Sequence, residues 1–274
     1  MNILIITAAR NEEKNLPKLY ESLLNVEIET EYKIFWKIIE NGSSDSTLRI
    51  AKSFLKTKNL DIEVESLIGH KKYTVGPFYS NLLADAYEKY GNTQEFSYIG
   101  VFDADIYFSK HYIKKLIEAF NNDKDLVLTS GKGLMNGEHD GESDDHVRGN
   151  ARLWRENYIR KRKMPREMSP DSISKFHAYI DNKKAYPINA KYFCREMGVN
   201  QDSQKFYGFS AFYRGVSSRF ALLKSIRMIL KGEGGISYFA GFFENKFLKK
   251  EISPDLELKK YVRQYSINKV KNIF

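Results

Sequence analysis

"NILIITAARNEEKNLPKLYESLL", residues 2–24, reads as one strand followed by one helix. Residues 2–9 are an almost unbroken apolar run of strand length, the pattern of a strand covered on both faces. The polar "RNEEKN" ends it. Asn15 then stands at a helix start, with Pro17 in the first turn, where its missing N–H costs nothing. Leu16, Leu19, Tyr20, Leu23 and Leu24 recur at helical spacing and give that helix one apolar face.

Working outward, the same unit repeats. "KIFWKIIE" (33–40) is a second strand, and a helix carrying Leu48, Ala51, Phe54 and Leu55 follows, with Ser43, Ser44 or Asp45 able to cap it. "DIEVESL" (61–67) alternates as a third strand, and Pro77 opens a helix to about Tyr90. "FSYIGVF" (96–102) is a fourth strand, Ile113, Leu116, Ile117 and Phe120 mark the next helix, and "DLVLTSG" (125–131) is a fifth strand. Strands alternating with helices of this length predict an α/β fold with an open, doubly wound, mostly parallel sheet. In such sheets ligands bind at the carboxyl ends of the strands.

The second half is less regular. Residues 132–147 read as a loop, 150–162 as a helix, and 171–181 as another with Ile173, Phe176 and Ile180 inward. Short strands through "AYPI" and "KYFC" follow, then an amphipathic basic tail. This divides the chain into a domain at 1–211, with halves at 1–131 and 132–211, and a C-terminal segment at 212–274.

At 274 residues, with 42% hydrophobic and 14% aromatic residues, the chain can bury a sizeable core. A mean hydropathy of −0.51 predicts a soluble protein. The single Cys194 excludes an intramolecular disulfide and a cysteine-based zinc site, and suits a reducing cytosol. "NILIITAA" lacks the basic flank of a signal peptide, and "ISYFAGFF" (236–243) is too short to cross a bilayer. The net charge of +9 is uneven: residues 212–274 hold 13 Lys/Arg against 5 Asp/Glu. A second basic run lies at 152–166, with the acidic "EHDGESDD" (138–145) before it. Such asymmetry points to an anionic partner or to a solvated lysine-rich surface. The basic runs interleave with apolar residues at helical spacing, which favours an anionic membrane surface over nucleic acid.

Three polar stretches fall at strand ends: "AARNEE" after the first strand, "ENGSSDST" after the second and "DAD" (103–105) after the fourth. Asp103 and Asp105 stand together in an apolar setting, which is costly unless positive charge lies between them. A hydrated divalent cation would supply it. No G-x-G-x-x-G follows the first strand and no G-x-x-x-x-G-K-[ST] occurs, which argues against a dinucleotide oxidoreductase or a P-loop ATPase.

"ITAARNEEKNL", "IIENGSSDST" and "FDADI", in this order and spacing, resemble the family 2 glycosyltransferases of GT-A fold. "RGNARLWRENY" (148–158) is similar to their acceptor-side G-x-N segment, and 169–188 to their E-D-x-x-L region. The resemblance covers about residues 2–190. It implies a metal-dependent inverting transfer from a nucleotide-diphospho sugar, with a UDP-sugar as the expected donor, to a lipid-linked or polysaccharide acceptor. It also implies that Ala9, Arg10, Asn11, Glu12, Glu40, Asn41, Asn81 and Asp103 bind the nucleotide sugar. Asp105, with Asp103, would hold Mn²⁺ or Mg²⁺, and Asp171 would be the catalytic base, with Glu156, Asp144 and Asp145 in reserve.

This chain departs from the family pattern in carrying Glu40 where a shorter acid is usual. Pro170 replaces the first acid of the E-D pair, and Gly76–Pro77 stand where a phosphate-binding Lys or Arg is frequent, so that either Lys71 or Lys72 would substitute or the helix N-terminus would bind the phosphate through its free amides. Asn11, Glu12, Asp45 and Asp171 could each serve a helix start instead. A sugar-1-phosphate nucleotidyltransferase would show a Gly-rich loop after the first strand, which is missing here. A non-catalytic nucleotide-sugar- or nucleic-acid-binding module is the remaining alternative. The expected location is cytoplasmic, peripheral on the inner face of the cell membrane.

Overall fold

The computed structural model describes residues 1–57, 60–67, 77–135, 138–139, 146–194 and 201–270. The chain divides into two compact units, Met1–Glu196 and Met197–Phe274, whereas the sequence reading drew its line at 211.

In the first unit β1 (Asn2–Ala9), β2 (Lys33–Glu40), β3 (Asp61–Ser66) and β4 (Tyr98–Phe102) pair in parallel in the order β3-β2-β1-β4. The sheet continues through β8 (Ala151–Arg155), β6 (Leu126–Met135), β9 (Lys184–Cys194) and β5 (Ile106–Phe108), while β7 (Glu138–His139) pairs with β6 off this path. β8 runs antiparallel to β4 and β6, β9 parallel to β6, and β5 antiparallel to β9.

Side chains of a strand alternate faces, and both faces are covered. Ile3, Ile5, Trp36, Ile38, Tyr98 and Phe102 pack with helices α1 (Leu16–Leu24), α2 (Thr47–Phe54) and α4 (Tyr112–Asn122). Leu4, Ile6, Ile39, Ile99 and Val101 pack with α3 (Pro77–Tyr90), α5 (Glu156–Arg162) and α6 (Pro170–Ile180). Each such Leu, Ile or Val contributes about 1.5–3 kcal/mol when fully buried. β2 lies on one side of β1 and β4 on the other, so the connections leaving β1 and β4 diverge and open a crevice at the carboxyl ends.

The doubly wound α/β expectation holds; the sheet is parallel from β3 to β4 and mixed beyond β4, so it is not mostly parallel, and there are local corrections. Residues 151–155 form β8, not the start of a helix: Ala151 and Leu153 enter one core and Trp154 the other, a period of two. Asn15 occupies the N-cap position of α1, but its side chain makes no capping bond; its Nδ2 donates to Glu12 Oε2 at 2.8 Å. In α6, Ala178 and not Phe176 or Ile180 continues the inward face begun by Ile173. "AYPI" and "KYFC" are parts of the single strand β9. The fourth strand begins at Tyr98 and not at 96, and the fifth runs on to Met135.

The second unit is helical: α7 (Gln201–Tyr213), α8 (Ser218–Leu230), α9 (Gly235–Phe247) and α10 (Leu256–Lys269). Ser217 accepts from Phe220 N and caps α8; Asp255 accepts from Leu258 N and caps α10. Ala211, Ala221, Met228, Tyr238 and Phe242 make a small core, joined by Phe212, Val216 and Phe243. So part of the tail's apolar content is packed inside its own unit. Within 212–232, Val216 and Met228 pack with this core, whereas Arg227 is exposed.

α7 and α9 meet backbone to backbone. A Cβ on Gly208 would lie 2.0 Å from the Tyr238 carbonyl oxygen, and one on Gly241 only 1.9 Å from that of Lys205. Gly241→Ala is therefore expected to push α9 off α7 and to destabilise this unit by about 1–3 kcal/mol. Denaturation and amide exchange of α7 and α9 read this directly. Unchanged protection of both helices would show that they do not touch at this point.

Candidate functional site

The loops after β1 and β2 are joined to each other by polar bonds. Asn11 takes a left-handed conformation (φ 56°), which Asn tolerates better than most side chains. Its N–H donates to Ser43 Oγ at 3.1 Å, and its Oδ1 accepts from Ser44 N at 2.9 Å. Glu12 N donates to Thr47 Oγ1 at 2.7 Å, Glu13 N to Asp45 Oδ2 at 3.2 Å, and Ser46 N to Glu13 Oε2 at 3.0 Å. Burial alone would raise the Asp45 carboxyl, but the Thr47 hydroxyl, the Thr47 N–H and the Glu13 N–H outweigh it and lower it.

Glu40 closes the β2 end. Its Oε1 accepts from Ser43 N at 2.5 Å and its Oε2 from the Ser66 hydroxyl at 2.7 Å. The buried carboxylate thus ties β2, its own loop and the end of β3 together. Beside it, Asn41 N donates to the Ala9 carbonyl at 2.9 Å. Asn41 is buried, and among the described residues its Oδ1 has no hydrogen-bond partner; the same is true of the shielded Arg10 Nη1. Ala9, Arg10, Asn11, Glu12, Glu40 and Asn41 therefore come together, and two of them present unused polar atoms. Asn81, on α3, lines a cavity of about 240 Å³ with Ile39, Glu65, Leu67 and Phe78.

Asp103 and Asp105 stand in the turn between β4 and β5, not within a strand. Asp103 N donates to the Asn150 carbonyl at 2.9 Å, which extends the β4–β8 ladder by one bond. The Tyr79 hydroxyl donates to Asp103 Oδ1. Burial, and then the Asp105 carboxylate, push the Asp103 carboxyl up to about 7, against the Tyr79 hydroxyl and the Arg152 guanidinium. An acid whose ionisation is suppressed by burial and by a neighbouring carboxylate sits in a setting short of positive charge. Such a pair fits Mg²⁺ or Mn²⁺, which bind through one or two carboxylates and take their other oxygens from substrate and water. Among the described residues no group of three or more His, Cys, Asp and Glu could hold a metal by itself.

Asp171 sits in the first turn of α6, after Pro170 and a left-handed Ser169 (φ 57°) that makes no side-chain cap. His146 Nε2 lies 3.4 Å from Asp171 Oδ2. The G-x-N segment is close by, for a Cβ on Gly149 would lie 3.3 Å from Asp171 Cβ. Arg152 is buried, its Nε and Nη1 have no hydrogen-bond partner among the described residues, and its Cζ lies 4.6 Å from the Trp154 ring centroid. Its charge acts on both Asp171 and Asp103. Burial would raise the Asp171 carboxyl, but His146, Arg152 and the Ser172 N–H overcome that and hold it well below the usual carboxylate range. Asp171 is thus kept ionised while Asp103 is pushed toward neutrality, a divergence typical of acid–base sites.

Of the reserve acids, Glu156 is buried and pairs with Arg160 Nε at 2.5 Å on its own helix. Asp144 and Asp145 lie outside the described residues, as do Lys71, Lys72 and Gly76. Tyr79, His146 and Arg152 were not singled out by sequence. Arg152 carried a usable signal, since an Arg between two apolar residues of a strand faces inward with Trp154.

The family model described as Glycosyl transferase family 2 matches residues 4–183. Comparison with curated proteins returned no match. Among solved structures, S. aureus TarS 1-349 is similar at 18% identity and a TM-score of 0.53, over 90% of this chain and 72% of that one. Its complex with UDP-GlcNAc gives 17% identity and a TM-score of 0.55, over 100% and 81%. The mannosyltransferase PcManGT from Pyrobaculum calidifontis, in complex with GDP-Man and Mn²⁺, gives 10% and 0.59, over 98% and 69%. At these identities the likeness shows the shared GT-A fold.

The depressed Asp171 carboxyl has a consequence for folding. Its stabilisation is complete above the ordinary carboxylate value of about 4 and is lost as pH falls below it. Asp171→Asn should therefore flatten the acid limb of the stability curve relative to wild type. Urea melts at a series of pH values below 5 check this, and parallel acid limbs would contradict the assignment.

Proposed function

The chain belongs to glycosyl transferase family 2, and from that premise we propose a metal-dependent inverting transfer of a sugar from a nucleotide-diphospho sugar, UDP-linked, to a lipid-linked or polysaccharide acceptor. That the chain is a glycosyltransferase follows from the family and the fold. The observation that carries the finer reading is the convergence at one sheet edge of the joined β1 and β2 loops, the Asp103–Asp105 pair and the ionised Asp171.

In this reading Arg10, Asn11, Glu12, Glu40 and Asn41 form the base and ribose end of the site, with Asn81 beside it. Arg10 Nη1 and Asn41 Oδ1 supply the free donor and acceptor. Both oxygens of Glu40 already accept protein hydrogen bonds, so its part is to hold the loop for the base more than to read it. Asp105 would hold Mn²⁺ or Mg²⁺ directly, and Asp103 would contact the ribose or reach the metal through water. When bound, the cation supplies charge neutralisation at the departing diphosphate.

Asp171 is the base. It takes the proton of the acceptor hydroxyl as that oxygen attacks the anomeric carbon from the side opposite the leaving group. His146 and Arg152 keep it ionised for that step. TarS, a neighbour in fold, has been solved with UDP-GlcNAc, and PcManGT with GDP-Man; the UDP assignment here leans on the former. The basic C-terminal helices support a peripheral place on an anionic membrane, at the cytoplasmic face, where a lipid-linked acceptor would be met.

Two substitutions test this reading. Asp171→Asn should lower transfer by about 10²–10⁴-fold while donor affinity stays nearly constant, because the base acts in the transition state. Asp105→Ala should abolish transfer and its dependence on added Mn²⁺. Near-normal turnover of the Asn variant would remove Asp171 from the mechanism, and wild-type transfer that survives exhaustive chelation would remove the metal.

A further inference from the structure

The C-terminal unit satisfies its own core and still leaves a set of large apolar side chains in water. On α8, Ala221, Ser225 and Met228 point inward. Leu222, Ile226, Ile229 and Leu230 are exposed. At ~100° per residue these four fall on one stripe of the helix, next to the buried face. Arg227 and Lys231 follow on the stripe's other edge, and Arg219 lies at its start.

The turn into α9 concentrates this pattern. Gly235 brings the start of α9 against α8: a Cβ there would lie 2.3 Å from the Ser225 carbonyl oxygen and 2.6 Å from Ile229 N. Ile229, Leu230 and Ile236 are thereby gathered at the end of one helical hairpin, with Leu230 76% and Ile236 72% exposed. Full exposure of such residues in a cluster is uncommon unless something covers them. The charges around them are equally unspent. Arg219, Arg227 and Lys231 make no ion pair with a carboxylate among the described residues.

Apolar residues at a tip, rimmed by three cations that form no ion pair among the described residues and with Glu233 as the one acid of the turn, match a surface that is anionic outside and hydrocarbon beneath. We infer that the α8–α9 hairpin is the membrane-docking element of this protein, with Ile226, Ile229, Leu230 and Ile236 entering the acyl boundary and Arg219, Arg227 and Lys231 meeting anionic headgroups. This deepens the peripheral membrane placement proposed above and rests on it. It differs from a helix lying flat: Tyr238 and Phe242 are occupied by the unit's core, so the contact is a wedge at one hairpin end. A protein partner or a second copy of the chain would cover the same residues without needing the cations to meet lipid.

The test compares the full chain with Leu230→Ser/Ile236→Ser and with Arg227→Glu/Lys231→Glu. Sedimentation uses phosphatidylcholine vesicles with and without roughly one third phosphatidylglycerol. Wild type is expected to bind the anionic vesicles only, and less in high salt. Each double variant should bind more than about tenfold more weakly, with unchanged helical content and melting, since all four positions are exposed. Wild-type binding that the variants retain would overturn the hairpin assignment and leave membrane placement standing. No wild-type binding, or equal binding to neutral vesicles, would overturn both. A concentration-dependent dimer that the Leu230→Ser/Ile236→Ser variant abolishes, without vesicle binding, would assign the surface to a second copy.

Discussion

A sheet covered by helices on both faces has no room for polar chemistry except at its strand ends. That constraint organises the first unit. β1, β2 and β4 send alternate side chains into two separate cores, so each acid or amide of the site must wait for the strand to finish. Glu40 is the last residue of β2, Asp103 follows the last residue of β4, and Asn11 comes two residues after β1. Because β2 and β4 flank β1 on opposite sides, these ends are brought to a common edge without any loop having to be long.

Once there, the polar groups must be satisfied or supplied with a counter-charge. Asn11, Asp45 and Glu40 are satisfied by the loops themselves, through Ser43, Ser44, Thr47 and Ser66. Their role in rigidity follows from this, and it leaves Arg10 and Asn41 as the groups with capacity to spare. The acids farther along are treated differently. Asp171 is given His146 and Arg152 and stays ionised, while Asp103, beside Asp105, is left short of positive charge. One carboxyl is held ionised and the other is held toward neutrality, and the difference lies in neighbours, not in residue type.

Much of this was legible in the sequence because it is local. The runs at 2–9 and 33–40 have no reading other than buried strands, and α1 and α4 announce themselves by spacing. Residues 151–155 were misread because five residues of strand run straight into α5, and over so short a span both periods fit. Contacts across long separations were not legible. Nothing near Tyr79 in the chain signals that it will donate to Asp103, nor near His146 that it will face Asp171. The tail was read correctly as basic and apolar, yet which of its apolar residues stay exposed depends on where Gly208, Gly235 and Gly241 let the helices touch.

The strand-end constellation is proposed to be a nucleoside-diphosphate site completed by a divalent cation. Calorimetric titration of the intact chain with UDP, with and without Mn²⁺, tests it most directly. Binding at a stoichiometry of one is expected, tight with Mn²⁺, much weaker under chelation, and weakened again when Asp105 is replaced by Ala. Absence of any heat with UDP in the presence of Mn²⁺, or binding that is indifferent to both the cation and Asp105, would contradict it.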